Sequence, residues 1–190
     1  MEQPRGPSRR DGRTRDTRER IHAVALELFV TQGFAATSMQ DVADRLGLTK
    51  AAVYYHHPTK ADLVRSVIQP AVDDVDDFLR EAHDARPDRR ELLERFFDLN
   101  YTHRPVFIAL LRDPSGLEQA DAQDWVPRLA QEFQTLLVGP EAGSWQRIGA
   151  IMAANGLSRC ATLLTDVPHD ELRRKSVQAA LTLLEQPDPG

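Results

Sequence analysis

Between residues 64 and 79, apolar side chains return at every third or fourth position: Val64, Val67, Ile68, Ala71, Val72, Val75, Phe78 and Leu79. This spacing puts all eight on one stripe of an α-helix, whereas a strand would scatter them over both its faces. The same test along the chain returns helices almost everywhere. Ile21, Val24, Ala25, Leu28 and Phe29 make a stripe that ends near Gly33, and Asp88 with Glu91 opens "RRELLERFFDLNY". Then come "RPVFIALLRD", "AQDWVPRLAQEFQTLLV", "SWQRIGAIMAANGLSRCATLL" and "PHDELRRKSVQAALTLLEQ". Strand-like alternation is nowhere sustained, so the expected fold class is all-α. Pro70 interrupts the longest stripe and predicts a bend near residues 66–70, and Pro127 predicts a bend or a helix start.

Two shorter helices precede that stripe. In "ATSMQDVADRLG", Thr37 with Gln40 reads as a capping box, Val42, Ala43 and Leu46 share a face, and Gly47 occupies the position of a left-handed C-cap. Thr49 then caps a third helix that turns Ala52 and Val53 inward and leaves Lys50, Ala51, Tyr54 and Tyr55 on other faces. Pro58 ends it, and Thr59 with Asp62 caps the long helix that follows. Two short helices flanking a glycine form a helix-turn-helix, whose second member can lie in the major groove of DNA. Lys50, Tyr54, Tyr55, His56 and Lys60 can reach phosphates and base edges. Thr49 sits at a helix N-terminus, where free amides favour an anion, and Ala51 and Ala52 leave room for thymine methyls. A core role for the tyrosines is the weaker reading, because Ala52 and Val53 already supply the inward face.

Charge divides the 190 residues the same way. Residues 1–67 carry 11 Lys and Arg against 8 Asp and Glu, and residues 68–190 carry 13 against 21, giving −5 in all. Only the first third can face a polyanion. Residues 1–16 read as a flexible basic arm, with Pro4, Gly6, Pro7, Ser8 and Gly12 among arginines. For Arg5, Arg9, Arg10, Arg13 and Arg15, entry into a minor groove and plain solvated charge stay equally open. The polar N-terminus and the lack of a long apolar run suggest a cytoplasmic chain.

Enzyme chemistry finds little support. Among His22, His56, His57, His83, His103 and His169 no metal-binding spacing occurs, and Cys160 is single. There is no Gly-rich phosphate loop and no supported nucleophile triad. No enzyme activity, metal or cofactor is expected.

Residues 17–66, "TRERIHAVALELFVTQGFAATSMQDVADRLGLTKAAVYYHHPTKADLV", resemble the N-terminal DNA-binding domain of the TetR family of transcriptional regulators. The resemblance rests on Gly33-Phe34, Thr37-Ser38, Val42-Ala43, Gly47-Leu48-Thr49-Lys50, Tyr54-Tyr55-His56 and Thr59-Lys60-Ala61-Asp62-Leu63. His57 departs from it, standing where the family commonly has phenylalanine or another apolar residue at the helix junction. The resemblance implies a dimer with its recognition helix at residues 49–55. It further implies a C-terminal domain, residues 67–190, that binds a small molecule and dimerises. The implied DNA contacts are Thr37, Ser38, Thr49, Lys50, Ala51, Tyr54, Tyr55, His56 and Lys60, with Tyr55 and Lys60 on phosphate.

For the C-terminal region the physical reading is coarser. Residues 144–185 hold two helices with wide apolar or small-residue faces, which predicts a four-helix dimer interface. Effector-binding candidates are Asn100, His103, Phe107, Trp125, Trp145, Met152 and Asn155, with Phe96, Phe97, Tyr101 and Phe133 as further lining. The expected function is a ligand-responsive repressor that binds a near-palindromic operator as a homodimer. An activator or global regulator with the same reader, or a ligand-binding protein that no longer reads DNA, are the alternatives. Effector, operator and target genes are not written in the sequence.

Overall fold

The computed structural model describes residues 9–189, and among them every regular element is an α-helix. In chain order these are α1 (Arg9–Gln32), α2 (Met39–Leu46), α3 (Lys50–His56), α4 (Lys60–Ala85) and α5 (Arg89–Thr102). They are followed by α6 (Arg104–Arg112), α7 (Ser115–Gln119), α8 (Trp125–Val138), α9 (Ser144–Leu163) and α10 (His169–Leu184). The all-α expectation holds. α1 begins at Arg9, inside the stretch of residues 1–16 expected as an arm. Arg5 and the side chains of Arg9, Arg10 and Arg13 lie outside the described residues, and Arg15 pairs with Glu19 one turn along, at 3.1 Å.

The chain forms two compact units. One comprises the chain to Ile68 together with Ala109–Asp121, and the other comprises Gln69–Ile108 with the chain from Ala122 onward. Residues 109–121 thus belong with the N-terminal unit, whereas the sequence reading placed them in a C-terminal region of residues 67–190.

In the N-terminal unit, Ile21, Ala25 and Phe29 of α1 are fully buried with Phe34, Val42, Ala43, Val53 and Val64. Phe34 stacks on Phe29 with ring centroids 4.5 Å apart. Gly116 lies so close to Phe34 that a Cβ would stand 2.6 Å from the ring, so no larger residue fits without displacing a buried aromatic. α2 ends at Gly47, in the left-handed region at φ 65°, where its N–H returns to the Ala43 and Asp44 carbonyls. Thr49 caps α3 by accepting the Ala52 N–H at 3.2 Å. Thr59 and Asp62 exchange reciprocal bonds at the head of α4, each 3.0 Å long. Pro70 sits inside α4, where it withholds a hydrogen bond from the Ser66 carbonyl.

In the second unit, Phe78, Phe96 and Phe133 cluster, the last two stacked at 4.0 Å. α9 packs against α5, α8 and α10 through Ala150, Ala153, Leu157 and Ala161, all buried. Pro127 falls in the first turn of α8, where a missing N–H costs nothing. Polar ties join residues far apart in sequence: Arg173 grips the Asp98 carboxylate at 2.8 and 3.0 Å, and Arg104 Nε donates to the Ala161 carbonyl at 2.7 Å.

Candidate DNA interface

α3 has seven residues, and of these only Val53 is buried. Its one inward contact suffices because the rest of the junction is supplied by α1, α2 and α4. Tyr54 is 40 % and Tyr55 79 % exposed, values that exclude a core role for either. Lys50 and Ala51 are exposed as well, and Lys50 Nζ lies 5.8 Å from the centre of the Tyr54 ring. Tyr55 meets half-buried His56 edge-on at 5.3 Å. The structure therefore brings Thr49, Lys50, Ala51, Tyr54 and Tyr55 onto the solvent side of one short helix. Such a face offers cations, phenol hydroxyls and a small apolar spot, the mixture that phosphates and base edges can use.

The turn before α2 corrects one expectation. Ser38, not Thr37, is the N-cap: its Oγ accepts the Asp41 N–H at 3.2 Å, while Asp41 Oδ2 accepts the Ser38 N–H at 2.8 Å. Hydrogen bonding to its carboxylate, from the Ser38 N–H first and then from the Ser38 side chain, holds the Asp41 carboxyl below its ordinary range. Thr37 is buried and its hydroxyl donates to the Gly33 carbonyl at 2.7 Å, so it braces the turn and its side chain has nothing left to offer DNA. Ser38 remains exposed.

Lys60 is also placed differently from a free phosphate contact. Its Nζ donates to the Ala35 carbonyl at 3.1 Å. Burial lowers its pKa, opposed by the charges of Asp113 and Asp41. An ammonium has three donors, so this bond leaves two for a phosphate.

His57 resolves the one departure from the family pattern. It is 1 % exposed and occupies the helix junction as an apolar residue would. Ser66 Oγ lies 2.9 Å from His22 Nε2 and 3.4 Å from His57 Nδ1, and the two imidazoles stand 5.1 Å apart. His57 Nε2 has no hydrogen-bond partner among the described residues. Burial, reinforced by His22, Arg18 and His56 and opposed by Asp62, pushes the His57 pKa down to about 4. Burial also lowers that of His22, helped by Arg18 and opposed by Glu19. At neutral pH His57 is uncharged, and it packs.

The effector candidates do not converge. Asn100 is buried but satisfied: its Nδ2 donates to the Phe96 carbonyl at 2.8 Å and its Oδ1 accepts from Ser158 Oγ at 2.6 Å. His103 pairs with Asp74 at 2.7 Å. Phe107 and Trp125 stack nearly parallel with centroids 6.0 Å apart, and the buried Trp125 Nε1 has no partner among the described residues. Trp145 is a clasp instead, donating to the Gln186 carbonyl at 2.9 Å. Met152 is 56 % exposed, and Asn155 is exposed with it on the outer face of α9. Two clefts in this unit, of about 390 and 410 Å³, contain none of the seven candidates. One is lined by His83, Arg128 and Glu132 among others, the other by Asp74, Phe78, Arg95 and Asp98 among others. No group of three potential metal ligands occurs among the described residues, and no helix there is long and apolar enough to cross a membrane.

The sequence profile of the family described as "Bacterial regulatory proteins, tetR family" matches residues 21–67, which hold this helix-turn-helix. Residues 21–67 are thus similar to the DNA-binding domain of the TetR family. Among curated relatives, the transcriptional activator FasR of Mycolicibacterium smegmatis is 37% identical over 101 residues, 50% of this chain and 46% of that protein. The transcriptional repressor KstR2 of Rhodococcus jostii is 29% identical over 127 residues, 63% of this chain and 61% of that one. The matched region thus spans less than two thirds of each relative's length. A transcriptional regulator from Aquifex aeolicus shares the fold over 88% of this chain and 99% of its own, with a TM-score of 0.68 at 21% identity. These TetR-domain relatives are DNA-binding regulators, not enzymes.

Residues outside the TetR-type helix-turn-helix also shape it. Asp113 accepts the Ala35 N–H, and Ser66 bridges two histidines. An Asp-Pro-Ser turn is visible in the sequence, but its partner 78 residues earlier is not.

Proposed function

We propose that the protein is a homodimeric, ligand-responsive transcriptional repressor. The observation that carries the DNA-reading part is the α3 face, which leaves Lys50, Tyr54 and Tyr55 in solvent while Val53 alone anchors it. A helix built for packing would bury its aromatics, since each offers a large apolar area. Two such helices in one dimer would enter successive major grooves roughly 34 to 36 Å apart, which favours a near-palindromic operator.

The dimer part rests on α9. Ile148, Ile151, Met152 and Leu163 are 41 to 56 % exposed and follow helical spacing on the face opposite buried Ala153 and Leu157. An exposed apolar patch such as Ile148, Ile151 and Met152, which Asn155 and Arg159 separate from Leu163, calls for a partner surface, and a second copy supplies a matching one. The expected counterpart on α10 is different: Ser176, Val177, Ala180 and Leu181 are buried within the same chain. Effector release requires only that the small molecule bind the DNA-incompetent state better, and a coupling of about 1 to 3 kcal/mol suffices. The acceptor-seeking indole N–H of Trp125 is the best-supported starting point for its pocket. A second reading, an activator, is favoured by the likeness to FasR.

The test is selection of sites from a randomised duplex pool by purified protein, repeated with Tyr54→Ala. An enriched inverted repeat that Tyr54→Ala fails to enrich supports the reading. No enrichment by a folded dimer would defeat it, and the sign of a reporter gene's response separates repressor from activator.

A further inference from the structure

The turn that leads into α2 is held by a carboxylate that lies outside the helix-turn-helix. Asp113 directly follows α6, and its Oδ2 accepts the Ala35 N–H at 2.7 Å. Its Oδ1 accepts the Ser115 N–H at 3.1 Å. The Ala35 bond above all, then those from Ser115, holds the Asp113 carboxyl below its ordinary range. The Ala35 carbonyl is pinned in turn by Lys60 Nζ at 3.1 Å. Both polar groups of one exposed turn residue are thus fixed by charged side chains from elsewhere in the same unit. Two further contacts hold the 109–121 segment in register: Gly116 against Phe34, and Asp121 with Arg65, which also pairs with Asp62.

We propose that Asp113 is a positioning residue for DNA binding. It fixes the turn of residues 33–38, and with it Ser38 and the N-terminal end of α2, in the orientation that a phosphate meets. Ala35 is exposed, so without Asp113 its N–H is solvated by water and little stability is lost. What is lost is the single orientation of the turn, and a pose held loosely binds less well because ordering it opposes association. The inference rests on the DNA-reading function proposed above.

The test uses the full-length chain and its selected operator in an anisotropy titration, at a temperature where circular dichroism shows each variant folded. Asp113→Ala is expected to bind about five- to tenfold more weakly, the effect of one modest hydrogen bond. Asp113→Asn keeps one acceptor: with its amide oxygen turned to the Ala35 N–H it gives up only the local Ser115 bond, and it is expected within about twofold of the parent chain. Phosphate-ethylation interference by Asp113→Ala should fade only at the phosphates next to α2. If Asp113→Ala does not fold, Asp113→Ser replaces it, since a serine can cap Ser115 locally but is too short to reach Ala35. Alanine or serine variants that bind within twofold of the parent, or an asparagine variant as weak as they are, would overturn the proposal. A parent chain that selects no operator, or a Tyr54→Ala control that binds as well as the parent, would overturn the DNA reading and this inference with it.

Discussion

α3 and α9 both leave large side chains in solvent, and they leave different ones. α3 exposes Lys50, Tyr54 and Tyr55, each with a hydrogen-bonding tip, while α9 exposes Ile148, Ile151 and Met152, which have none. A phenol or ammonium on the surface keeps its bonds with water until a polar partner replaces them. An isoleucine gains only by leaving water altogether, at about 25 cal/mol per Å². The first helix suits a wet, charged surface, and the second suits another apolar helix. The difference teaches that exposure alone says little about partners, and that the chemistry of the exposed atoms says more.

Four substitutions break or sharpen this contrast. The largest effect belongs to Ile151→Asp, which puts a charge in the centre of the α9 stripe. Burying it unpaired at a dimer contact is strongly unfavourable. Sedimentation equilibrium should find a folded monomer, and operator affinity should fall by about a hundredfold or more because two linked half-sites are lost. A stable dimer would move the interface off α9.

His57→Phe comes next and probes the buried side of the reader. The folded-state pKa of His57, about 4, lies below the unfolded value of 6.5. The unfolded chain therefore takes up the proton first as pH falls. The stability contributed by neutral His57 is full above pH 6.5 and is lost progressively between 6.5 and 4, up to about 3 kcal/mol. His57→Phe has no such proton, so its melting temperature should fall less over that window than the parent's. Parallel pH profiles would mean that His57 is not held neutral.

The smallest effect is expected from Lys50→Ala, which removes one exposed cation from α3. Operator affinity should fall several-fold for all sequences alike, and the dependence of log affinity on log salt should flatten by about one. The contrast sharpens if Arg159→Ala, a cation lost from the outer face of α9, leaves that slope unchanged.

Much of the reader was legible because its signals are local. Gly47, Thr49 and the Thr59–Asp62 pair act within four residues, and each does in the structure what its position predicts. The cap of α2 was misassigned by one residue because Thr37 and Ser38 are both competent caps, and only the packing of Thr37 under Gly33 decides between them. Asp113 was missed for a different reason. Nothing near an aspartate followed by proline and serine tells which distant N–H it will meet. The effector candidates were chosen on signals with the same limit. Trp145, Met152 and Asn155 were chosen as large or polar residues on helical stripes, and periodicity does not say whether a stripe faces a cavity, a neighbouring helix or solvent. Asn100, offered as an effector contact, is buried, and Ser158, 58 residues later, bonds its Oδ1.

The return of residues 109–121 to the N-terminal unit limits how this protein can be recombined. A chimera joined after residue 68 inherits a foreign segment beneath Phe34, where only a glycine at the position of Gly116 clears the ring. The heritable module is discontinuous. Exchange of C-terminal units between chains of this fold is productive only when the crossover points spare both pieces, or when the incoming chain brings its own glycine and carboxylate at matching places.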